Sequence, residues 1–358
     1  MSDWKSELKK IAENVTEYIR TDGFPSRIEP EPLRDAVRAY PLAGGKRIRP
    51  ALLLWSCGMF GGDPAQALPA AAALEIYHNW TLVHDDIIDC DEFRRGIPTT
   101  HTALRRHAEE HFHADAAEAA KFGTDFAILA GDLQQSWAIR AMLRLKENGV
   151  APGIVLFLTE HMQDFLARRL ISGEALDVAF EHRGFRTVDE EQVIRMIDGK
   201  TGAILRFAML CGGVIARGIP DFEREEFRLA SAFAGHLALA FQLRDDWLGV
   251  FGSVKKFGKP LASDFQEAKP TLLYLAAMRR ASAQDREKLA AFMGRPSFSP
   301  NDLDELRRLL DDCGAAGEIQ NRIRAGSDEA LAALRQLPGN RFRSCLESLT
   351  NELTDRMV

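Results

Sequence analysis

Five acids and two arginines fall within thirteen residues, His84-Asp85-Asp86-Ile87-Ile88-Asp89-Cys90-Asp91-Glu92-Phe93-Arg94-Arg95-Gly96. The stretch before them, Leu74 to Val83, reads as a largely buried helix. If that helix runs on through Asp89, then His78, Asp85 and Asp89 share one face. Carboxylates stacked on an apolar helix repel each other and lose hydration, so they need a counter-charge. A hard divalent cation with oxygen ligands supplies one, and Mg²⁺ is usually held by one or two carboxylates together with substrate phosphates. Paired arginines suit phosphate through bidentate hydrogen bonds. The stretch therefore reads as a place for a metal-bridged diphosphate. The plainer alternative is a solvated acidic helix end followed by a basic turn.

A second stretch has the same plan. In Phe241-Gln242-Leu243-Arg244-Asp245-Asp246-Trp247-Leu248-Gly249 an apolar helix again leads into an Asp pair. With both present, the chain resembles the trans-polyprenyl diphosphate synthases of the short-chain, geranylgeranyl type, which join isopentenyl diphosphate to an allylic diphosphate. The resemblance runs from about Gly44 to Thr271. The first motif is a full Asp-Asp-x-x-Asp followed by Arg-Arg-Gly. The second departs from the family pattern, because Gly249 stands where a third Asp is common.

The resemblance implies a set of roles. Asp85, Asp89 and Asp245 hold Mg²⁺, and the partner acids Asp86 and Asp246 belong to the same catalytic set. Lys46 and Arg49, in Gly44-Gly45-Lys46-Arg47-Ile48-Arg49-Pro50, bind the diphosphate of isopentenyl diphosphate with His78 and Arg95. By residue type alone this stretch is a cationic loop before a helix start, a setting that suits anions. Arg94 matches the contact to the allylic diphosphate. Lys200 and Thr201 match residues at the reaction centre, and Gln242 offers an amide oxygen to the allylic cation. Lys259 matches a phosphate contact on a closing loop. Glu174 stands where the family usually has Gln, and the helix carrying Gly131 and Asp132 is expected beside the first motif.

The implied product is mainly geranylgeranyl diphosphate, with farnesyl diphosphate as the alternative. Trp80 lies about 7.5 Å deeper than Asp85 along an ideal helix. In the family a bulky residue there forms the floor of the chain pocket. On an ideal helix, however, Thr81 and not Trp80 shares the face of Asp85, so a core tryptophan is the competing reading. Thr81 is small, which argues against a tighter pocket. A class I terpene cyclase would need one Asp-rich motif and no isopentenyl site. A non-catalytic partner subunit would be expected to have lost first-motif acids.

The elements that must position these residues are helices. Ala, Leu, Arg and Glu recur at helical spacing, and no strand signal of any length is present. Helices are expected over Asp3 to Arg20, Pro30 to Tyr40 and Ala51 to Phe60. Glu191 to Leu210 should be helical with a kink at Asp198-Gly199-Lys200-Thr201-Gly202, although an ordinary loop fits the glycines too. No low-complexity linker divides the chain. The expected fold is all-α, a single domain over residues 1–358, with about ten or more helices around a central apolar cavity, the isoprenoid synthase type.

Composition narrows the partners. The chain has 358 residues, 46% of them hydrophobic and 27% charged, and a net charge of -6. That balance, without a basic cluster, argues against nucleic acid. No signal pattern and no apolar run of about 20 residues suggests secretion or stable membrane insertion. Five scattered cysteines fit free thiols in a reducing cytoplasm. The family resemblance implies a homodimer.

Overall fold

The computed structural model describes residues 4–94, 96–183, 187–252 and 261–355. It is helical nearly throughout, as expected from the spacing of the apolar residues. The chain forms two compact units, Met1–Met162 with Ala208–Phe222, and Gln163–Phe207 with Glu223–Val358.

In the first unit, α1 (Trp4–Thr21) buries Ile11, Val15 and Ile19, one residue per turn on a single stripe. The next helices are α2 (Glu31–Leu42), α3 (Ile48–Met59) and α4 (Leu68–Ile88). Helix α3 begins three residues earlier than expected, because Arg47 adopts the left-handed conformation and starts it. Arg49 therefore sits in the first turn. Helix α4 is buried almost all round, with Ala70 to Leu74 and Tyr77 inaccessible to solvent. It packs against α6 (Ala116–Leu143), whose start is closed by an Asp115/Glu118 capping box. Helix α5 (Thr100–Phe112) also lies on α6, and α7 (Pro152–His161) follows.

A minimal hairpin, β1 (Phe93–Arg94) and β2 (Ile97–Pro98), pairs Phe93 with Pro98 and Arg94 with Ile97. Two residues per strand leave no periodic signal, which is why the sequence shows no strand there.

The second unit contains α8 (Arg168–Arg183), α9 (Glu190–Ile197) and α11 (Glu225–Phe251). Its apolar core gathers Phe180, Val193, Leu243, Phe265, Tyr274 and the helices from Ala283 onward. Helix α11 packs along Ala315–Arg335. Between α9 and α10 (Ala203–Arg217) the backbone makes one π-helical turn, Asp198–Gly202. The two glycines thus mark a bulge within a continuous helical run and not a loop, a feature common at functional sites. By length and composition alone the run Glu190–Arg217 passes the test for a membrane-crossing helix, and 78% of its apolar window is buried within the protein.

Candidate active site

The first acidic motif occupies the last turn of α4. The helix ends because Cys90 takes φ +55°, the left-handed position usually given to glycine. The amide of Asp91 then bonds the carbonyl of Asp86 (3.0 Å), and that of Cys90 bonds Ile87 (3.4 Å). Cys90 is a capping residue. The cap leaves Asp85, Asp86 and Asp89 at a helix C-terminus, where the helix dipole is itself negative. Positive charge is therefore required at this spot.

The hairpin brings it. Arg94 Nε donates to Asp86 Oδ1 (2.6 Å), and Arg94 Nη2 donates to Asp85 Oδ2 (3.0 Å). Asp86 has no exposure and turns inward, and its Oδ2 accepts from the hydroxyl of Tyr40 on α2. Burial raises the Asp86 carboxyl above its ordinary range, against the pull of Arg94 and Tyr40. The two outer acids differ from it. Asp85 and Asp89 are half-buried.

One to three turns deeper, Trp80 is 8% exposed and stands edge-on to Tyr77 (4.8 Å) and to His84 (5.9 Å). Among the described residues neither its indole nitrogen nor the Tyr77 hydroxyl finds a hydrogen-bond partner. His84 lies over Gly131 of α6. A methyl group on Gly131 would come within 2.1 Å of its Nε2, so only glycine lets the helices meet there. The Asp132 carboxylate is 3.9 Å from the same nitrogen. Burial lowers the His84 pKa, against the opposing charge of Asp132. Helix α6 is thus beside the first motif, as the sequence suggested. His78 is half-buried on α4, and Thr81 caps the carbonyl of His78 (2.8 Å).

The three cations before α3 divide. Lys46 is exposed, and Arg49 is half-buried in the first turn of α3. Arg47 between them is buried, bonding Glu75 and the Pro41 carbonyl (2.6 Å). It anchors the loop that presents the other two. Arg95 and Lys259, both expected to touch phosphate, lie outside the described residues.

In the second unit α8 and the π-helical turn cross closely. A methyl on Gly173 would lie 2.3 Å from the backbone nitrogen of Lys200. This crossing aims Lys200 at α8, where Nζ bonds Glu174 (3.0 Å) and Asp177 (2.8 Å). Glu174, which stands where the family usually has Gln, is therefore a partner of Lys200. Arg169 (3.3 Å) and Arg206 (2.8 Å) both hold Asp198 at the start of the turn.

Helix α11 presents the second Asp pair to the same place. Thr201 donates to the Gln242 amide oxygen (3.2 Å), and the Gln242 amide donates to Asp246 (2.8 Å). Gln242 Oε1, expected to face a carbocation, thus accepts a hydrogen bond from Thr201 here. These residues line a cavity of about 140 Å³ with Asp177, Asp264 and Lys269. Asp246 is raised well above the usual carboxylate range, by burial first and then by the charge of Asp264. Asp245 beside it is half-buried, and Gly249 is buried, its carbonyl accepting from Ala262 (2.8 Å).

Among the described residues no three histidine, cysteine or carboxylate side chains form a closed metal cage. Asp85 and Asp89, one helical turn apart, form an open pair, and Asp245 stands apart from them in sequence. Mg²⁺ suits such donors because it keeps waters and phosphate oxygens in its shell. Sequence reasoning missed Tyr40 and Arg206. Neither carries a motif, and only the fold brings Tyr40 to Asp86 and Arg206 to Asp198.

The sequence matches the Polyprenyl synthetase family over residues 30–310. It is 36% identical to a short chain isoprenyl diphosphate synthase of Methanothermobacter thermautotrophicus, over 80% of this chain and 79% of that protein. It is 33% identical to a geranylgeranyl diphosphate synthase of Saccharolobus solfataricus, over 83% of this chain and 81% of the relative. Among solved structures, a geranylgeranyl pyrophosphate synthase from Corynebacterium glutamicum, complexed with isoprenyl diphosphate and magnesium, superposes with TM-score 0.85 at 28% identity, covering 99% of both chains.

Proposed function

We propose that this chain, which belongs to the polyprenyl synthetase family and is a trans-prenyltransferase, condenses isopentenyl diphosphate with dimethylallyl, geranyl and farnesyl diphosphates to give mainly geranylgeranyl diphosphate. The observation that carries the reading is the last turn of α4, where outward Asp85 and Asp89 stand beside an arginine shared with Asp86. That is a charge pattern built for a phosphate and its counter-ion.

Asp85 and Asp89 on the first unit and Asp245 on the second are the residues that would hold Mg²⁺, and the metal would supply positive charge against a leaving diphosphate. Arg94 on the first unit and Lys200 on the second, with Lys259, are the candidate donors to the leaving group, and preorganised donors are worth most where water is absent. Lys200 arrives oriented by Glu174 and Asp177. Lys46, Arg49, His78 and Arg95 hold the diphosphate of the second substrate. When the carbon–oxygen bond of the allylic substrate breaks, its electron pair leaves with diphosphate. The alkene of isopentenyl diphosphate forms the new carbon–carbon bond, and a proton passes to the departing diphosphate. The apolar walls exclude water, which would quench the cation.

The wall that stops the growing chain is Trp80, packed edge-on against Tyr77 and His84. Relatives named farnesyl and geranylfarnesyl diphosphate synthases make the shorter and longer products the alternatives. We take the two compact units to serve one catalytic domain, and the protein to work as a cytoplasmic homodimer.

The test is incubation with labelled isopentenyl diphosphate, each allylic primer in turn, and Mg²⁺. The expected main product has twenty carbons. Failure to incorporate label with any primer would overturn the proposal.

A further inference from the structure

Asp86 divides its two oxygens between two partners. Oδ1 takes the Arg94 guanidinium, and Oδ2 takes the Tyr40 hydroxyl. Tyr40 is itself fixed. It is 5% exposed on α2, and its oxygen accepts from the backbone amide of Thr100 at the start of α5 (3.3 Å). Thr99 ties the same chain end back to the motif, through its hydroxyl to the Asp91 carbonyl (2.7 Å) and its amide to the Glu92 carbonyl (3.0 Å). Tyr40 therefore uses both its donor and its acceptor at a point where α2, α4, α5 and the hairpin meet.

The consequence lies at Arg94. A carboxylate with both oxygens available grips a guanidinium in a two-point, fork-to-fork pair. In this structure one oxygen is already taken, so Nε (2.6 Å) and Nη2 (2.5 Å) of Arg94 converge on the single remaining oxygen Oδ1, and Nη2 is shared with Asp85 (3.0 Å) and, more distantly, with Asp91 (3.9 Å). Its side chain retains 18% exposure. An arginine held this way lies at the mouth of the acidic turn and can transfer donors to an incoming phosphate. One paired in parallel with both oxygens of a fully buried acid would commit Nη2 to the second oxygen and turn it away from Asp85.

We propose that Tyr40 is a positioning residue for diphosphate binding: by occupying one oxygen of Asp86 it keeps Arg94 shared between Asp86 and Asp85, and so available to the allylic diphosphate. The inference rests on the assignment of Arg94 to that diphosphate. It concerns a residue on a different helix, 46 positions before Asp86, with no motif of its own.

The probe is inorganic diphosphate with Mg²⁺, followed by titration calorimetry on the full chain and on Tyr40→Phe, Arg94→Met and the double variant. Loss of one hydrogen bond to a charged group should weaken binding about tenfold in Tyr40→Phe. Arg94→Met should weaken it further, and adding Tyr40→Phe to it should change nothing more, because the two act through one guanidinium. In turnover, Tyr40→Phe should raise KM for geranyl diphosphate about tenfold and leave KM for isopentenyl diphosphate within twofold. A tyrosine that only stabilised the fold would shift both or neither. Should Tyr40→Phe not fold, Asp86→Asn leaves the tyrosine in place and should show the same lack of additivity with Arg94→Met. Parent-like diphosphate binding by Tyr40→Phe, additive losses in the double variant, or no diphosphate binding by the parent would each overturn the inference. Absence of prenyl transfer with diphosphate binding and its coupling intact would instead count against the proposed reaction alone.

Discussion

Gly173→Ala is the change whose cost can be worked most directly from the structure. The added methyl would sit 2.3 Å from the Lys200 backbone nitrogen, 2.7 Å from the Gly199 carbonyl carbon and 2.9 Å from its Cα. Ordinary contact begins near 3.4 Å, so α8 and the π-helical turn must part by about 1 Å. The obstructing atoms are backbone, with no rotamer to give way. Overpacking of this kind costs about 1–3 kcal/mol. The larger effect falls on Lys200. Its Nζ bonds Glu174 and Asp177, which lie on α8 just beyond Gly173, so the same displacement carries both acceptors away from it. A shift of about 1 Å in a positioned group costs about a hundredfold in rate. The assay is steady-state incorporation of labelled isopentenyl diphosphate, with circular dichroism and a thermal melt to establish folding. Gly153→Ala is the control, since nothing lies within 4 Å of the methyl it would add. A folded Gly173→Ala variant with kcat within twofold of the parent would refute the argument that the helix crossing sets Lys200.

Four further outcomes follow from the site. Alanine at Asp85, Asp89 or Asp245 should each lower turnover by about a hundredfold or more with unchanged circular dichroism, and parent-like rates in all three would remove them as metal ligands. Lys46→Ala and Arg49→Ala should raise KM for isopentenyl diphosphate about tenfold, more than for the allylic primer; equal effects on both substrates would show the two halves of the site to be misassigned. Trp80→Ala should lengthen the products, read by chromatography of the dephosphorylated alcohols, and cost about 3–5 kcal/mol of stability because the indole is nearly buried. Unchanged product length would mean that Trp80 is not the floor. Asp246→Asn should raise Tm at pH 8 and change it little at pH 4. The folded carboxyl is raised by burial and by Asp264, so its contribution to stability is present below the ordinary value of 3.8 and is lost as pH rises through the folded value. Equal shifts at both pH values would contradict that sign.

The chemistry of this protein was largely legible in its sequence, because it depends on residue types at helical spacing. Asp85 and Asp89 are four residues apart, and any helix puts them on one face. The kink at Asp198–Gly202 was legible too, since glycines within a helical run are unusual, although spacing could not tell a loop from the π-helical turn that forms. What α4 could not reveal by itself is which of its acids faces inward. Asp85 and Asp86 are adjacent and alike in type. Only the arrival of Tyr40 from α2 and Arg94 from the hairpin makes Asp86 the buried anchor and leaves Asp85 outward. The same holds for the cations before α3, where a left-handed Arg47 turns into the core toward Glu75 and leaves Lys46 and Arg49 outside. Local spacing determines which side chains share a face of one helix. Which face meets another element, and which charge is buried with a partner, is decided by packing between segments far apart in the chain. There the cost of an unpaired buried charge selects the arrangement.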